Sequence, residues 1–130
     1  MARVGMQRDA CGARFCQLSG HDETTLAFMA SGGRGAISVT ANIAPRLCAE
    51  IQEAWLVQDF AKAALLDEKL LPLHRALFAE PSPAALKYAM VRKRRGYPGR
   101  LRLPMVEVGS ETEQEIDRAI FLATTDELIR

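Results

Sequence analysis

Apolar residues recur at three- and four-residue steps along most of this chain, and at two places the pattern tightens into short, nearly continuous apolar runs. The segment ARVGMQRDAC, residues 2–11, sets Val4, Met6 and Ala10 among charges and is followed by Gly12, which reads as a short helix with a glycine stop. RFCQLSG then reads as a short buried strand that breaks at Ser19-Gly20 into the polar loop His21-Asp22-Glu23. Asp22 or Thr24 is expected to cap a helix over TTLAFMAS, with Leu26, Ala27, Met29 and Ala30 on its apolar side and Gly32-Gly33 at its end. AISVT, residues 36–40, is apolar or β-branched enough for a parallel strand covered on both faces.

From Pro45 the period is helical. Proline suits the first helical position, where its missing N–H costs nothing, and Leu47, Cys48, Ile51, Trp55 and Leu56 continue at helical spacing. A break near Gln58-Asp59 precedes a second helix, FAKAALLDEKLLPLHRALF, with a kink expected at Pro72. Pro81 and Pro83 bracket a turn before a third helix, ALKYAMVRK. RRGYPGR reads as a loop and LRLPMVEV as a short extended segment. SETEQEIDRAIFLATTDEL reads as a last helix, with Ser110 and Glu113 spaced for a capping box. There is no internal repeat and no low-complexity tract.

Composition narrows the class without choosing a function. A length of 130 residues suits one modest domain. No apolar run approaches the roughly 20 residues of a membrane span. The first residues lack the apolar stretch and cleavage site of a signal peptide, so a cytoplasmic location is expected. The formal net charge of +1 gives no global pull toward nucleic acid or anionic lipid. Cys11, Cys16 and Cys48 have neither paired spacing nor neighbouring histidines, so they read as buried thiols, with no disulfide framework and no metal site.

Alternating strand and helix implies parallel strands with right-handed crossovers, and in such sheets ligands gather where strands end and helices begin. Gly32, Gly33 and Gly35 follow a helix and precede a strand, so they serve as cap and turn rather than as a phosphate loop. The loop after Gly20 and the segment Thr40-Ala41-Asn42 lie on the ligand side. His21 there is either a proton shuttle or a solvated loop residue. Asp22 is a helix cap or an acid, and Asn42 is a ligand contact or a turn amide. His74, among leucines, reads as a hydrogen-bonded packing histidine. Arg92, Lys93, Arg94 and Arg95, with Tyr97, Arg100 and Arg102, form the one basic patch. Acidic helices offset it, so it reads as a solvated loop and no nucleic-acid partner is expected.

The runs from Leu18 to Ala54 and from Asp59 to Met90, with LRLPMVEV after them, closely resemble the C-terminal portion of the 4-hydroxy-tetrahydrodipicolinate synthase (dihydrodipicolinate synthase) family. GAISVTANIAP and KLLPLHRALFAEP are the most specific parts of the match. The resemblance implies an α/β fold: the last two strands of a (β/α)8 TIM barrel, FCQLSG seventh and AISVT eighth, followed by a helical C-terminal domain. It divides the chain into a barrel remnant, residues 1–57, and a helical region, residues 58–130.

It implies a lyase of lysine biosynthesis that condenses pyruvate with aspartate semialdehyde and needs no cofactor. Ile37 would approach pyruvate through its backbone carbonyl, and Gly20 would line the same site. The family's nucleophile is a lysine on the sixth strand, assisted by a tyrosine, a threonine pair and an arginine from earlier strands. This sequence carries neither lysine nor tyrosine before Lys62, so no catalytic residue is expected within it. His21 stands where the family usually has an acid.

Two strands do not close a barrel, which would leave Leu18, Ile37 and Val39 uncovered. The expected partners are therefore a missing N-terminal half or further copies of the chain. The alternative is a helical interaction module presenting Trp55, Leu56, Leu66 and Leu70, and RNA binding by the arginine loop is a third, weaker reading.

Overall fold

The computed structural model describes residues 2–125. Helix α1 spans Ala2–Cys11 and leads to strand β1, Leu18–Ser19. A single 3-10 turn, Asp22–Thr24, enters helix α2, Thr25–Ala30, and strand β2 follows at Gly35–Ala36. A second 3-10 turn, Thr40–Asn42, precedes helices α3 (Pro45–Leu56), α4 (Phe60–Ala76), α5 (Ala84–Lys93) and α6 (Ser110–Thr124). The end expected for the last helix, residues 126–128, lies outside the described residues.

β1 and β2 pair in parallel, Leu18 opposite Gly35 and Ser19 opposite Ala36, as the alternation of elements requires. The strands are much shorter than expected. Paired backbone extends only one residue beyond each, through Arg34 N–H to the Gln17 carbonyl at 2.9 Å and Ile37 N–H to the Ser19 carbonyl at 2.8 Å. Among the described residues neither strand has a neighbour on its other side, and without one the ladder ends early. Phe15, Cys16 and Leu18 are correspondingly exposed, so the expected burial of the first strand does not occur here, and Ile37 is 72% exposed. Leu18 and Ile37 are uncovered, as expected for two strands without a closed barrel, whereas Val39, expected to be uncovered with them, is half-buried against the helical core.

The core belongs to the helices. α3 turns Leu47, Ile51 and Ala54 inward, and α6 turns Ile116, Ala119 and Ala123, each set at helical spacing. Between them α4 buries Leu70 and Leu73, with Leu77 just beyond its end, all at 0% exposure. Burial of each such leucine contributes about 1.5–3 kcal/mol. Leu70 is therefore not available to a partner, contrary to the expectation for it. The alanine face of α5, Ala84, Ala85 and Ala89, allows close approach to α6. Arg92 clamps that pair by donating from Nε and Nη2 to the two carboxylate oxygens of Asp117, both at 2.9 Å. The helical core also includes Ile43 and Ala44, so its packing runs across residue 57.

Element ends follow local chemistry. α3 begins with Pro45 at its first turn and ends in a Schellman motif: Gln58 N–H reaches the Trp55 carbonyl at 3.0 Å and Asp59 N–H the Ala54 carbonyl at 2.9 Å. Gln58 takes φ +63°, a conformation usually left to glycine. Asp59 immediately caps α4, its carboxylate accepting from Lys62 N–H at 3.0 Å. α4 runs on through Pro72.

Two expected caps differ. Ser110 lies inside α6, whose N-cap is Gly109; the Gly109 N–H donates to Glu80 Oε1 at 2.9 Å, and no capping box forms. Neither Asp22 nor Thr24 makes a side-chain cap. The segment 101–108 is irregular and pairs with no strand among the described residues.

Candidate functional site

The parallel register carries Gly20 and Ile37 to the same end of the sheet, the carboxyl end, one residue beyond the paired Ser19 and Ala36. Ile37 N–H is held by the Ser19 carbonyl, which fixes the peptide immediately before the one that carries the Ile37 carbonyl. Gly20 is exposed, with open space where a side chain would stand. The two expected site residues therefore share one sheet end, the mouth of the candidate site.

Behind this mouth stands a buried polar group. Asp22 Oδ2 accepts from two backbone amides of the segment following β2, Val39 N–H at 2.9 Å and Thr40 N–H at 3.1 Å. Having turned inward to do so, the side chain is absent from the helix start for which it was expected. Ser38 Oγ accepts from Ala41 N–H at 2.9 Å, and Asn42 donates from Nδ2 to the Val39 carbonyl at 3.0 Å, so Asn42 acts as a turn amide. Ser19 Oγ closes the other strand end, lying 3.1 Å from His21 N–H.

Thr40 passes the network to the helical core. Its hydroxyl lies 2.7 Å from His74 Nδ1, and both residues are buried. Burial lowers the His74 pKa from 6.5, outweighing the opposing pull of Asp22 and Glu23. On the far side of the ring, Asp67 Oδ1 approaches Nε2 at 3.8 Å. The Asp67 carboxyl is pushed up to about 6 by burial and by the neighbouring charges of Asp22 and Glu23. A cavity of about 30 Å³ lies between Asp22, Ser38, Cys48, Asp67 and His74, room for about one water.

Cys48 faces this cavity with its thiol raised to about 11, chiefly by burial, which keeps it protonated and poorly nucleophilic at neutral pH. Cys48 is only half-buried and Cys11 and Cys16 are exposed, so the expectation of three buried thiols fails. Two of them lie where the barrel half has no covering layer.

The His21 ring sits outside this network. The residue is exposed, its Nδ1 3.2 Å from Thr24 Oγ1 and its ring 5.7 Å from that of Phe78. Glu23 is paired with Arg75 at 2.8 Å, linking the same loop to α4. In the basic patch Arg92 is held by Asp117, and Lys93 donates to the Ile43 carbonyl, so part of that charge ties α5 to the core. Among the described residues no group of three metal-ligating side chains occurs, and no helix is long and apolar enough to cross a membrane.

Sequence patterning had marked His74 as a packing residue, but its partner Thr40 lies 34 positions away and only the fold joins them. Asp22 as the clamp on the segment following β2 was missed, because a carboxylate just before an apolar helix reads equally well as a cap.

Comparison with known proteins adds a second kind of observation. The model of the dihydrodipicolinate synthetase family matches residues 1–122. A 4-hydroxy-tetrahydrodipicolinate synthase of Brucella abortus is 54% identical over 118 residues, which is 91% of this chain and 40% of that protein. Another, of a Chelativorans species, is 55% identical over the same shares. The structure of the enzyme from Methylacidiphilum fumariolicum superposes on 98% of this chain and 42% of its own, with a TM-score of 0.90 and 27% identity. A chloride-inhibited dihydrodipicolinate synthase from Acinetobacter baumannii, solved with pyruvate, covers 94% of this chain and 42% of its own, with a TM-score of 0.80 and 31% identity. The chain spans about 40% of the length of the curated relatives it matches.

Proposed function

Because this chain belongs to the dihydrodipicolinate synthetase family, with the last two strands of its (β/α)8 barrel and the helical region that follows, we propose that it works as the C-terminal part of a 4-hydroxy-tetrahydrodipicolinate synthase. Such an enzyme condenses pyruvate with aspartate semialdehyde in lysine biosynthesis. The observation that carries the reading for these residues is the shared position of Gly20 and Ile37 at the carboxyl end of the parallel pair, the end at which barrel active sites are built. In this proposal the Ile37 carbonyl and the Gly20 backbone line the pyruvate end of the site. A lysine amine adds to the ketone there, the resulting carbinolamine expels its oxygen as water to give a protonated Schiff base, and a fixed carbonyl dipole nearby stabilises that cationic iminium.

That lysine must come from polypeptide outside residues 1–130, since none precedes Lys62 and those that follow belong to the helical region. The barrel residues described here shape the site, and the covalent chemistry is supplied by the segment that completes it.

The test is to co-express this chain with the part of the Brucella abortus relative it does not cover, purify the pair, and add pyruvate with borohydride. Mass spectrometry should find the reduced pyruvate adduct on the complement and none on this chain, and the pair should consume both substrates. A well-assembled pair that forms no adduct would reject the proposal.

A second reading rests on the corner between α3 and α4, where Leu56 and Val57 are 77% and 76% exposed and Phe60 lies beside them. In it the helical region contacts further subunits. A stable self-association of this chain in size-exclusion chromatography, lost on Leu56→Glu, would support that reading, and a monomer would reject it.

A further inference from the structure

Asp22 does something the family resemblance leaves unassigned. It is a buried carboxylate two residues beyond Gly20, and it grips the chain two and three residues beyond Ile37. Both amide hydrogens converge on the same oxygen, Oδ2, and hydrogen bonds to a carboxylate are about twice as strong as neutral ones. The two strands themselves contribute only a short ladder. Beyond the Ile37–Ser19 bond, this side chain is what ties the segment following β2 to the turn following β1. On the far side of Thr40 the hydroxyl is bound to His74, which is rooted between Leu73 and Arg75 in α4.

We infer that Asp22 is a positioning residue: by clamping Val39 and Thr40 it sets the Ile37 carbonyl against Gly20, and the Thr40–His74 contact anchors that clamp to the helical core. The inference rests on the proposed function, which makes Ile37 and Gly20 the pyruvate end of the site. Asp22 touches neither substrate in this role. Its effect is on the placement of backbone, so it should weigh on pyruvate more than on the aldehyde substrate.

The test uses the reconstituted pair described above, with Asp22→Ala, Asp22→Asn, Thr40→Val and Thr40→Ser in this chain. Asp22→Ala should raise the pyruvate KM about tenfold. It should leave the KM for aspartate semialdehyde within about twofold and speed amide exchange at Val39 and Thr40. Asp22→Asn keeps an oxygen that accepts the same amides, and should recover part of the pyruvate KM. Thr40→Ser should behave like the parent, and Thr40→Val should fall between.

An assembled Asp22→Ala pair with unchanged pyruvate KM, or with both KM values raised alike, overturns the role. If Asp22→Ala does not assemble, Asp22→Asn and the Thr40 pair decide it: equal pyruvate KM and equal exchange in Thr40→Val and Thr40→Ser would overturn it. Absence of the pyruvate adduct in the unsubstituted pair rejects the proposed function itself. An intact adduct with an unmoved KM in the variants rejects only the clamp.

Discussion

Residues 2–44 and 45–125 are built from similar proportions of apolar side chains and end in opposite conditions. The helical part closes a core within the chain, with Leu70, Leu73, Leu77 and Ile116 fully buried, while Leu56, Val57, Leu65 and Phe121 on its outer faces stay exposed. In the barrel part Phe15, Leu18 and Ile37 remain exposed, and the buried Oε1 of Gln17 accepts no hydrogen bond among the described residues. The difference lies in where each element satisfies its backbone. A helix closes its hydrogen bonds internally and asks its neighbours only for side-chain packing, whereas a strand asks for another strand on each side. The helical part thus closes a core of its own, whereas each strand of the barrel part leaves one edge unpaired among the described residues.

The largest expected effects break this contrast directly. Leu73→Ala should cost about 2–5 kcal/mol in a urea melt of the chain alone, because it opens a cavity in a closed core. Leu18→Ala should stay within about 0.5 kcal/mol in the same melt, and should become costly only once the complement covers it. Equal losses from the two substitutions in the isolated chain would refute the contrast.

The joint between the two parts comes next. Thr40→Val leaves His74 Nδ1 buried without its partner and should cost about 1–3 kcal/mol by thermal melting followed at 222 nm. A loss no larger than that of an exposed threonine would mean that the joint contributes nothing.

pH sharpens the same joint. His74 has a folded pKa below its ordinary 6.5, so the unfolded chain takes up that proton first and His74 costs stability as pH falls below 6.5. Asp67 has the opposite sign: its folded pKa of about 6 lies above 3.8, so the folded chain takes up the proton first and gains stability as pH falls from about 6 toward 3.8. In the parent the two oppose each other below about pH 6 and the profile should be shallow. Asp67→Asn should expose a steeper loss from pH 6.5 downward, and an unaltered profile would show that Asp67 does not titrate there.

The smallest effects belong to the hinge between α3 and α4, inside the helical part. Asp59→Ala removes the α4 cap and should cost about 1 kcal/mol. Gln58→Gly relieves a left-handed backbone and should stabilise by about 0.5–1 kcal/mol, read as a raised melting temperature. A lowered one would mean that the Gln58 side chain is worth more than the strain.

The helices from Pro45 onward could be read from spacing, and the Gln58-Asp59 break fell where the Schellman motif and the Asp59 cap meet, because caps and periodicity are local chemistry. Parallel pairing of the two strands and the packing role of His74 were legible for the same reason, the latter because a histidine among leucines has to be hydrogen-bonded. Strand length was not: AISVT has the composition of a five-residue strand, but pairing stops near Ile37, since a ladder is as long as its neighbours allow. Exposure of Cys11 and Cys16 and full burial of Leu70 likewise depend on which layer covers a residue, not on what the residue is.

Local pattern thus dictated where helices run, the direction of the two strands and the end of the sheet to which Gly20 belongs, while the early end of β2 placed Ile37 there. Which amides Asp22 holds, that Thr40 meets His74 across 34 residues, and which apolar faces stay open were settled by packing alone. Contacts between distant residues form only when the fold has already spent the entropy of bringing them together, and no short stretch of sequence records which partner will be there.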